Sequence, residues 1–535
     1  MAEELRGIIA LDQKNDALMP AASNHDKFLP LQMMTLASIA VIALFAWQGH
    51  KGFSLWDEGF LWYGAQRATL GEVPIRDYMA YDPGRYYWIA ALMYLCRDNG
   101  ITVLRVALAI FQAIGLCVAL LLIARTRKRQ SLAYLLLSTL TLAAWMFPRH
   151  KLFDVSIAIF LVAALSYLIE TPDHRRYFLA GLSVGFLAVF GRNHGVYGVA
   201  GSLAVIAWLS IKRSETSHPL SGFLPWSAGV VIGYSPLLLM LLLVPGFSTA
   251  FLEDIRYLFE VKATNIPLPI PWPWLVHLSS PPTGDASRAI LIGIFFMGLL
   301  IFGAISILWV IRQRLLQRPS PPALVAASFL TLPYAHFAYS RADISHLAQG
   351  IPPMLIGVLV LLSHQAPRIK WPLALALCGA SVWVMAVFQP GWECRKHNCV
   401  DVEISHSLLE VDSGTAHDVA LLRSLTAKYA SQGRSFIVAP YWPGAYALLE
   451  RKSPTWEIYP LLPRSKAFEL KEIMRTKTAN PGFALIDDMP LDGIDALRFK
   501  HTHPLIYQYI VSNFTPLPDS SNPAYQIYEG RRRAQ

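Results

Sequence analysis

Charge is scarce in this chain. Asp, Glu, Lys and Arg make up only 15% of its 535 residues, while 54% are hydrophobic and the mean hydropathy is +0.38. That scarcity excludes an ordinary soluble protein of this size, because the apolar residues are gathered into blocks near bilayer-spanning length. The few charges lie in the connections, as expected when a charge at the centre of a membrane helix costs about 2.5–3.5 kcal/mol. Residues 1–27 are polar and lack the basic, apolar and cleavage-site order of a signal peptide, so the first span is expected to be a retained anchor. Internal repeats and ionisable groups at mid-membrane depth are lacking too, which argues against a transporter or flippase. The net charge of +10 has a topological explanation and does not imply nucleic acid as a partner.

What is present is a polytopic α-helical membrane protein. About eleven transmembrane spans are read near 30–48, 102–124, 131–147, 154–171, 176–191, 195–211, 222–244, 287–311, 321–339, 349–364 and 371–389. Tyr86 to Leu95 is too short to cross and is read as a juxtamembrane helix. Basic residues follow every even-numbered span: Arg125, Arg127, Lys128 and Arg129; Arg175 and Arg176; Lys212 and Arg213; Arg312, Arg314 and Arg318; Arg368 and Lys370. By the positive-inside rule the tail 1–27 is cytoplasmic, 28–389 is the membrane domain with a first external loop at 49–101, and 390–535 is extracytoplasmic.

From about residue 390 the pattern becomes that of a small α/β domain, with helical periodicity in 416–430 and 465–476 and strand-like runs in SFIVAP and GFALIDD. It contains no P-loop, no GxGxxG opening a helix and no nucleophile elbow. Its role is open between acceptor recognition and a lid over the membrane site. An N-glycosylation sequon, Asn513-Phe514-Thr515, falls in it. Of five cysteines, Cys394 and Cys399 are placed in an oxidising compartment and are expected to form a disulfide, ahead of free thiols or a metal site using His397. Cys117 and Cys378 read as apolar filler, and Cys96 has no evident partner.

The external loops collect the titratable groups. The first, opening LWDEGFLWYG, supplies Asp57, Glu58, Asp77, Asp82 and Arg85, and the second supplies Arg149, His150, Lys151 and Asp154. The third brings Arg192, Asn193 and His194; the fifth brings Tyr339, Arg341, Asp343 and His346. Carboxylates, imidazoles and cations alternating at span ends on one side imply a polar cavity open to that side. Such a set suits transfer beside a lipid phosphate: cations meet the phosphate as it leaves, and a carboxylate takes the acceptor hydroxyl's proton. Blander readings stand beside this one. Asp57 and Glu58 suit the N-terminus of a helix starting near Gly59, Asp82 in YDPGR suits a turn, and Arg149 and Lys151 suit interface anchoring.

The Asp-Glu pair opening the first external loop, the juxtamembrane segment, the many spans and the external C-terminal domain resemble the GT-C class of integral-membrane glycosyltransferases, nearest the protein O-mannosyltransferase and lipid A aminoarabinose transferase group. The resemblance covers roughly the first 350 residues by architecture, and WDEG with the segment after it by residue. It implies a sugar donor carried on a polyprenyl phosphate, transfer with inversion, and catalytic roles for Asp57 as general base and for Glu58. Where the family has His-Pro-Pro-Leu-Tyr-Tyr, this chain has Asp82, Pro83, Gly84, Arg85, Tyr86 and Tyr87. Asp154 matches the family's acidic residue at the start of the fourth span. Arg85, Lys151, Arg192 and Arg341 are candidates for the donor phosphate, and Asp82, His150, Asp154, Asn193, His194, Asp343 and His346 for the remaining cavity wall. The cofactor expectation is none, or a divalent Mg²⁺ or Mn²⁺ ion, with no metal ligands assigned. The expected acceptor is an envelope glycan, lipid or protein at a bacterial inner membrane. A ligase using a diphosphate carrier, a flippase and a non-catalytic scaffold are the rival readings.

Overall fold

The computed structural model describes residues 24–126, 130–211, 220–261, 265–276, 284–396, 398–518 and 522–531. Most of the N-terminal tail, together with Arg127, Lys128, Arg129, Lys212, Arg213 and His397, lies outside the described residues.

The apolar blocks form helices. In chain order the membrane part comprises α1 (Asn24–Gln48), α2 (Asp57–Thr69), α3 (Pro83–Cys96), α4 (Ile101–Ala124), α5 (Leu132–Trp145), α6 (Leu152–Glu170), α7 (His174–Ala188), α8 (Arg192–Ser210), α9 (Leu220–Leu243), α10 (Phe247–Val261), α11 (Gly284–Leu315), α12 (Pro322–Ser340), α13 (Ile344–Gly350), α14 (Pro352–Ser363) and α15 (Pro367–Met385). Among the described residues, six helices are long and apolar enough to cross a bilayer, or seven if the bent pair α13–α14 counts as one span. Every expected span coincides with a helix, but α5, α7, α8 and α12 run only 14–19 residues. The span expected at 349–364 is broken by 54° between Gly350 and Pro352. Pro352 and Pro353 supply no backbone N–H, and their rings cannot continue the preceding helix. The long connection from Pro245 to Arg288, rich in Pro, Trp and aromatic residues, contains α10.

Small residues set the closest helix approach. A Cβ on Gly181 or Gly185 of α7 would lie 2.0–2.1 Å from carbonyl oxygens of α9, and one on Gly229 or Gly233 of α9 would lie 2.1 Å from carbonyls of α7. The two GxxxG stripes let the backbones touch, which is how helices pack where lipid removes the hydrophobic drive.

Past α16 (Pro390–Lys396), a hairpin of β1 (Cys399–Ile404) and β2 (Ser407–Asp412) leads into α17 (Ser413–Tyr429). A four-stranded sheet follows, built from β3 (Ile437–Ala439), β4 (Phe483–Asp487), β5 (Phe514–Pro516) and β6 (Tyr525–Gly530) in the order β3-β4-β6-β5. Strands β3 and β4 are parallel, with α18 (Gly444–Leu448) and α19 (Lys466–Ala479) in the crossover; the other pairings are antiparallel. α20 (Phe499–Thr502) and α21 (Pro504–Asn513) complete the domain. Cys394 and Cys399 are joined by a disulfide, while Cys96, Cys117 and Cys378 are free thiols.

The C-terminal domain is docked on the first external loop. The Gly444 N–H donates to Leu55 O at 2.8 Å, and a Cβ on Gly59 would meet Gly444 Cα at 2.4 Å, so two glycine backbones touch at the start of α2. Further out, Trp456 Nε1 donates to Ile75 O at 2.9 Å and Lys452 pairs with Glu72 at 2.6 Å. One apolar core runs through both parts. This explains why Glu58 through Gln66 are all buried: α2 is covered by the bundle below and the C-terminal domain above.

Candidate active site

α2 starts at Asp57, and its N-cap is Trp56, which makes no side-chain capping bond. Neither carboxylate is therefore the cap. Both stand in the first turn, where the helix dipole favours anions, and neighbouring helical residues point about 100° apart. Their fates differ accordingly. Glu58 is buried, accepts two 2.9 Å bonds from Arg105 and lies 3.5 Å from Arg149. Burial pushes its carboxyl up, but the two guanidiniums outweigh it and bring the pKa down to about 2. Asp57 turns outward with its side chain 44% exposed, and His150 Nε2 lies 3.6 Å from its Oδ2. The buried Tyr459 hydroxyl, from the C-terminal domain, also reaches Asp57, and burial together with that negative charge pushes the phenol well above its usual range.

His150 and Lys151 come from a 3-10 turn, Arg149–Lys151, at the head of α6. Lys151 Nζ lies 3.9 Å above the Tyr81 ring. Among the described residues no carboxylate forms an ion pair with it. The same ring packs edge-on against Phe60 at 4.8 Å and faces Arg85 at 5.5 Å. An ammonium paired only with an aromatic face keeps its charge available to an incoming anion.

The other three expected phosphate cations are already engaged. Arg85 is buried and bidentate to Asp154 at 2.8 and 2.5 Å, and Asp154 Oδ1 meets His194 Nε2 at 2.7 Å. His194 Nδ1 in turn meets the Tyr334 hydroxyl at 2.7 Å, so α3, α6, α8 and α12 are tied by one buried polar chain. Arg192 pairs with Asp82 at 2.6 Å and with Asp254 of α10 at 2.9 Å. Asp82 is the N-cap residue of α3 without a side-chain cap bond, and its carboxylate also accepts the Arg192 backbone N–H at 2.9 Å. Arg341 binds Asp343 at 2.7 Å and is bidentate to Asp492 of the C-terminal domain at 2.7 and 2.8 Å. Asp343 caps α13 and accepts from His346, both at 2.8 Å, while Asn193 is exposed. The geometry thus gathers Asp57, His150 and Lys151 in one place. Asp154, His194 and Arg85 form a buried brace, and Arg341, Asp343 and His346 form a tie to the C-terminal domain. Among the described residues no three His, Cys, Asp or Glu side chains are grouped as a metal site.

Sequence reasoning missed Tyr81, Tyr459 and the upper wall of the site. Asp57 lines a cleft of about 280 Å³ with Ser54 and Trp56 on its own loop and with Thr415, Asp418 and Trp442 of the C-terminal domain. No short motif marks those residues, because they lie more than 350 positions from Asp57. Tyr81 was legible only as the aromatic residue that opens YDPGR.

No protein-family model matches the chain, and no curated protein does. Solved structures do. ArnT from Cupriavidus metallidurans bound to undecaprenyl phosphate superposes with a TM-score of 0.55 over 95% of this chain and 98% of that one, at 13% identity. The same protein in the apo state gives 0.55 over 92% and 96%, at 12% identity. Nearly the whole of each chain is matched, C-terminal domain included, so this protein has the GT-C membrane fold.

Proposed function

We propose that this protein is a membrane glycosyltransferase that moves a sugar from a polyprenyl-phosphate donor to an acceptor hydroxyl, with Asp57 as general base. The observation that carries the reading is the placement of Asp57: a half-exposed carboxylate beside His150 at 3.6 Å, on the next residue to which stands a lysine with no carboxylate partner. The likeness to a structure bound to undecaprenyl phosphate supports a lipid-linked donor.

In this reading the acceptor oxygen attacks the anomeric carbon as the carbon–oxygen bond to phosphate breaks, inverting the centre. The acceptor proton passes to Asp57, and the lipid phosphate leaves with its developing charge met by Lys151. One displacement suffices, so no covalent nucleophile is needed, and no step runs through a metal. Glu58 acts as a positioning residue, fixing the first turn of α2 through Arg105. An apolar groove between α1 and α4, lined by Val41, Phe45, Ala109, Ile110 and Ala113, accommodates the isoprenoid tail. Its neighbour, sharing Phe45 and Ala109, ends on Gln48, Arg105 and Arg149, immediately before His150. The basic loops support an extracytoplasmic active face and C-terminal domain, which in this reading is the periplasmic side of a bacterial inner membrane.

The test is release of polyprenyl phosphate from a panel of synthetic polyprenyl-phosphate sugars by the purified protein. Asp57→Asn is expected to lower transfer by roughly 10²- to 10⁴-fold with the fold intact. Undiminished transfer in that variant would falsify the assignment of the base, and inertness toward every sugar in the panel would remove the reaction.

A further inference from the structure

A cavity of about 710 Å³ is walled by α10 and the N-terminal turn of α19, and it shares no residue with the cleft at Asp57. Eight charged side chains line it. Five of them have close partners: Arg76 pairs with Asp77 at 2.8 Å, Asp254 with Arg192 at 2.9 Å, Arg256 with Glu260 at 2.8 Å, and Arg475 with Glu472. Lys471, Glu253 and Arg464 remain. Lys471 Nζ and Glu253 Oε2 stand 4.0 Å apart with more than half of each side chain exposed, so that pair is loose.

Arg464 is held far more firmly. Its side chain is only 6% exposed, Nε donates to Glu457 Oε1 at 2.6 Å, and His503 Nε2 lies 2.9 Å from the other oxygen of that carboxylate. The guanidinium lies 3.4 Å from the centre of the Tyr257 ring and 4.5 Å from that of Phe468, so aromatic side chains of α10 and α19 both grip it. Its two terminal nitrogens make no hydrogen bond among the described residues and are not sealed off, which leaves them open to the cavity. Ser465, the next residue, is the N-cap of α19, and it brings the positive end of that helix to the same wall. Two fixed guanidinium donors beside a helix N-terminus suit a phosphate.

The cavity also lies at the depth of the membrane surface. Gly246 on its wall comes three residues after Leu243, the end of a helix long and apolar enough to cross a bilayer. Leu252 and Phe259 of α10 are exposed, and a separation of seven residues puts them on one face of that helix.

We propose that this cavity binds the headgroup of a zwitterionic phospholipid, its phosphate on the terminal nitrogens of Arg464 and its ammonium on Glu253, with the acyl chains along the exposed apolar face of α10. Glu253 stands one helical turn from Tyr257, about 5–6 Å along α10, and an ethanolamine spans a comparable distance between its phosphate and its ammonium. Because the other lining charges are already matched, a phosphate without an ammonium meets Glu253 as a like charge. A lipid so held ties the C-terminal domain to the bilayer surface beside α10. This assignment is independent of the transferase reading.

Full-length protein in detergent is titrated with dioctanoyl phosphatidylethanolamine, dioctanoyl phosphatidylglycerol, dioctanoylglycerol and chain-free phosphoethanolamine, and bound adducts are read by native mass spectrometry. One copy of the phosphatidylethanolamine is expected to bind about tenfold or more tightly than the phosphatidylglycerol, which lacks the ammonium, or the dioctanoylglycerol, which lacks the phosphate. Glu253→Gln is expected to abolish the preference over phosphatidylglycerol. Arg464→Lys, which keeps a cation for Glu457 but loses the planar fork, is expected to weaken both phospholipids about tenfold or more. Phosphatidylglycerol or dioctanoylglycerol binding as tightly as phosphatidylethanolamine overturns the proposal, as does a Glu253→Gln protein that keeps the preference. Chain-free phosphoethanolamine bound as tightly as the lipid would make this a site for a soluble ligand and overturn the lipid assignment. Glu253 is exposed, so its variant stands as a test even if Arg464→Lys folds poorly.

Discussion

Replacing Glu58 by Gln removes one negative charge next to Asp57 and leaves Arg105, which has no exposed side-chain surface, without its counter-ion. The magnitude follows from the ionisation of Glu58. A carboxyl drawn from 4.5 down to about 2 contributes about 3 kcal/mol to the folded state at neutral pH. This agrees with the roughly 3–5 kcal/mol usually lost when one member of a buried ion pair is removed. Because the folded pKa is depressed, the contribution is complete above the unfolded value near 4.5 and is lost as pH falls toward 2. Amide hydrogen exchange of α2 reads this directly: 3 kcal/mol corresponds to exchange roughly a hundredfold faster in Glu58→Gln between pH 5 and 8. The difference should narrow below pH 4.5. Transfer at saturating donor should fall far less than in Asp57→Asn, because Glu58 acts through the position of its neighbour. A variant with unchanged α2 exchange and abolished transfer would refute this reasoning and make Glu58 a reacting group.

Lys151→Gln is expected to raise the KM for donor about tenfold or more and to lower kcat, with partial recovery in Lys151→Arg; kinetics on a polyprenyl-phosphate sugar unchanged by either substitution would remove it from the phosphate site. Asp487→Asn tests the C-terminal domain. Burial raises the Asp487 carboxyl from 3.8 to about 6, with Asp418 and Asp488 adding like charge. Its ionisation therefore opposes folding, and stability declines as pH rises from about 4 to 6. The Asn variant should gain about 3 kcal/mol at pH 8 and nothing below pH 4, read by thermal melting at both values. A variant no more stable at pH 8 than wild type would show that Asp487 is solvated.

The sequence by itself determined what local chemistry can determine. Apolar block length specified the helices, since a bilayer rewards runs of about twenty apolar residues wherever they fall. WDEG at the start of the first external loop marked Asp57, and the switch to shorter, mixed patterns marked the C-terminal α/β region. Reading the loops together by membrane side also put Asp57 and His150 in one group, and the structure brings these two side chains to 3.6 Å.

Only the tertiary structure decided which charges are free. Arg85, Lys151, Arg192 and Arg341 are indistinguishable as cations in a list of loop residues. Three of them lie within 3 Å of carboxylates on other elements, and Lys151 lies over Tyr81 instead. Asp57 and Glu58 are adjacent in the chain, yet the turn of one helix sends one into a buried ion pair and the other to the cleft. Asp418 and Trp442 joined that cleft through a contact between Gly59 and Gly444, nearly four hundred residues apart. Ion pairing and cleft walls are set by distances of a few ångströms between remote segments, and no local pattern encodes those.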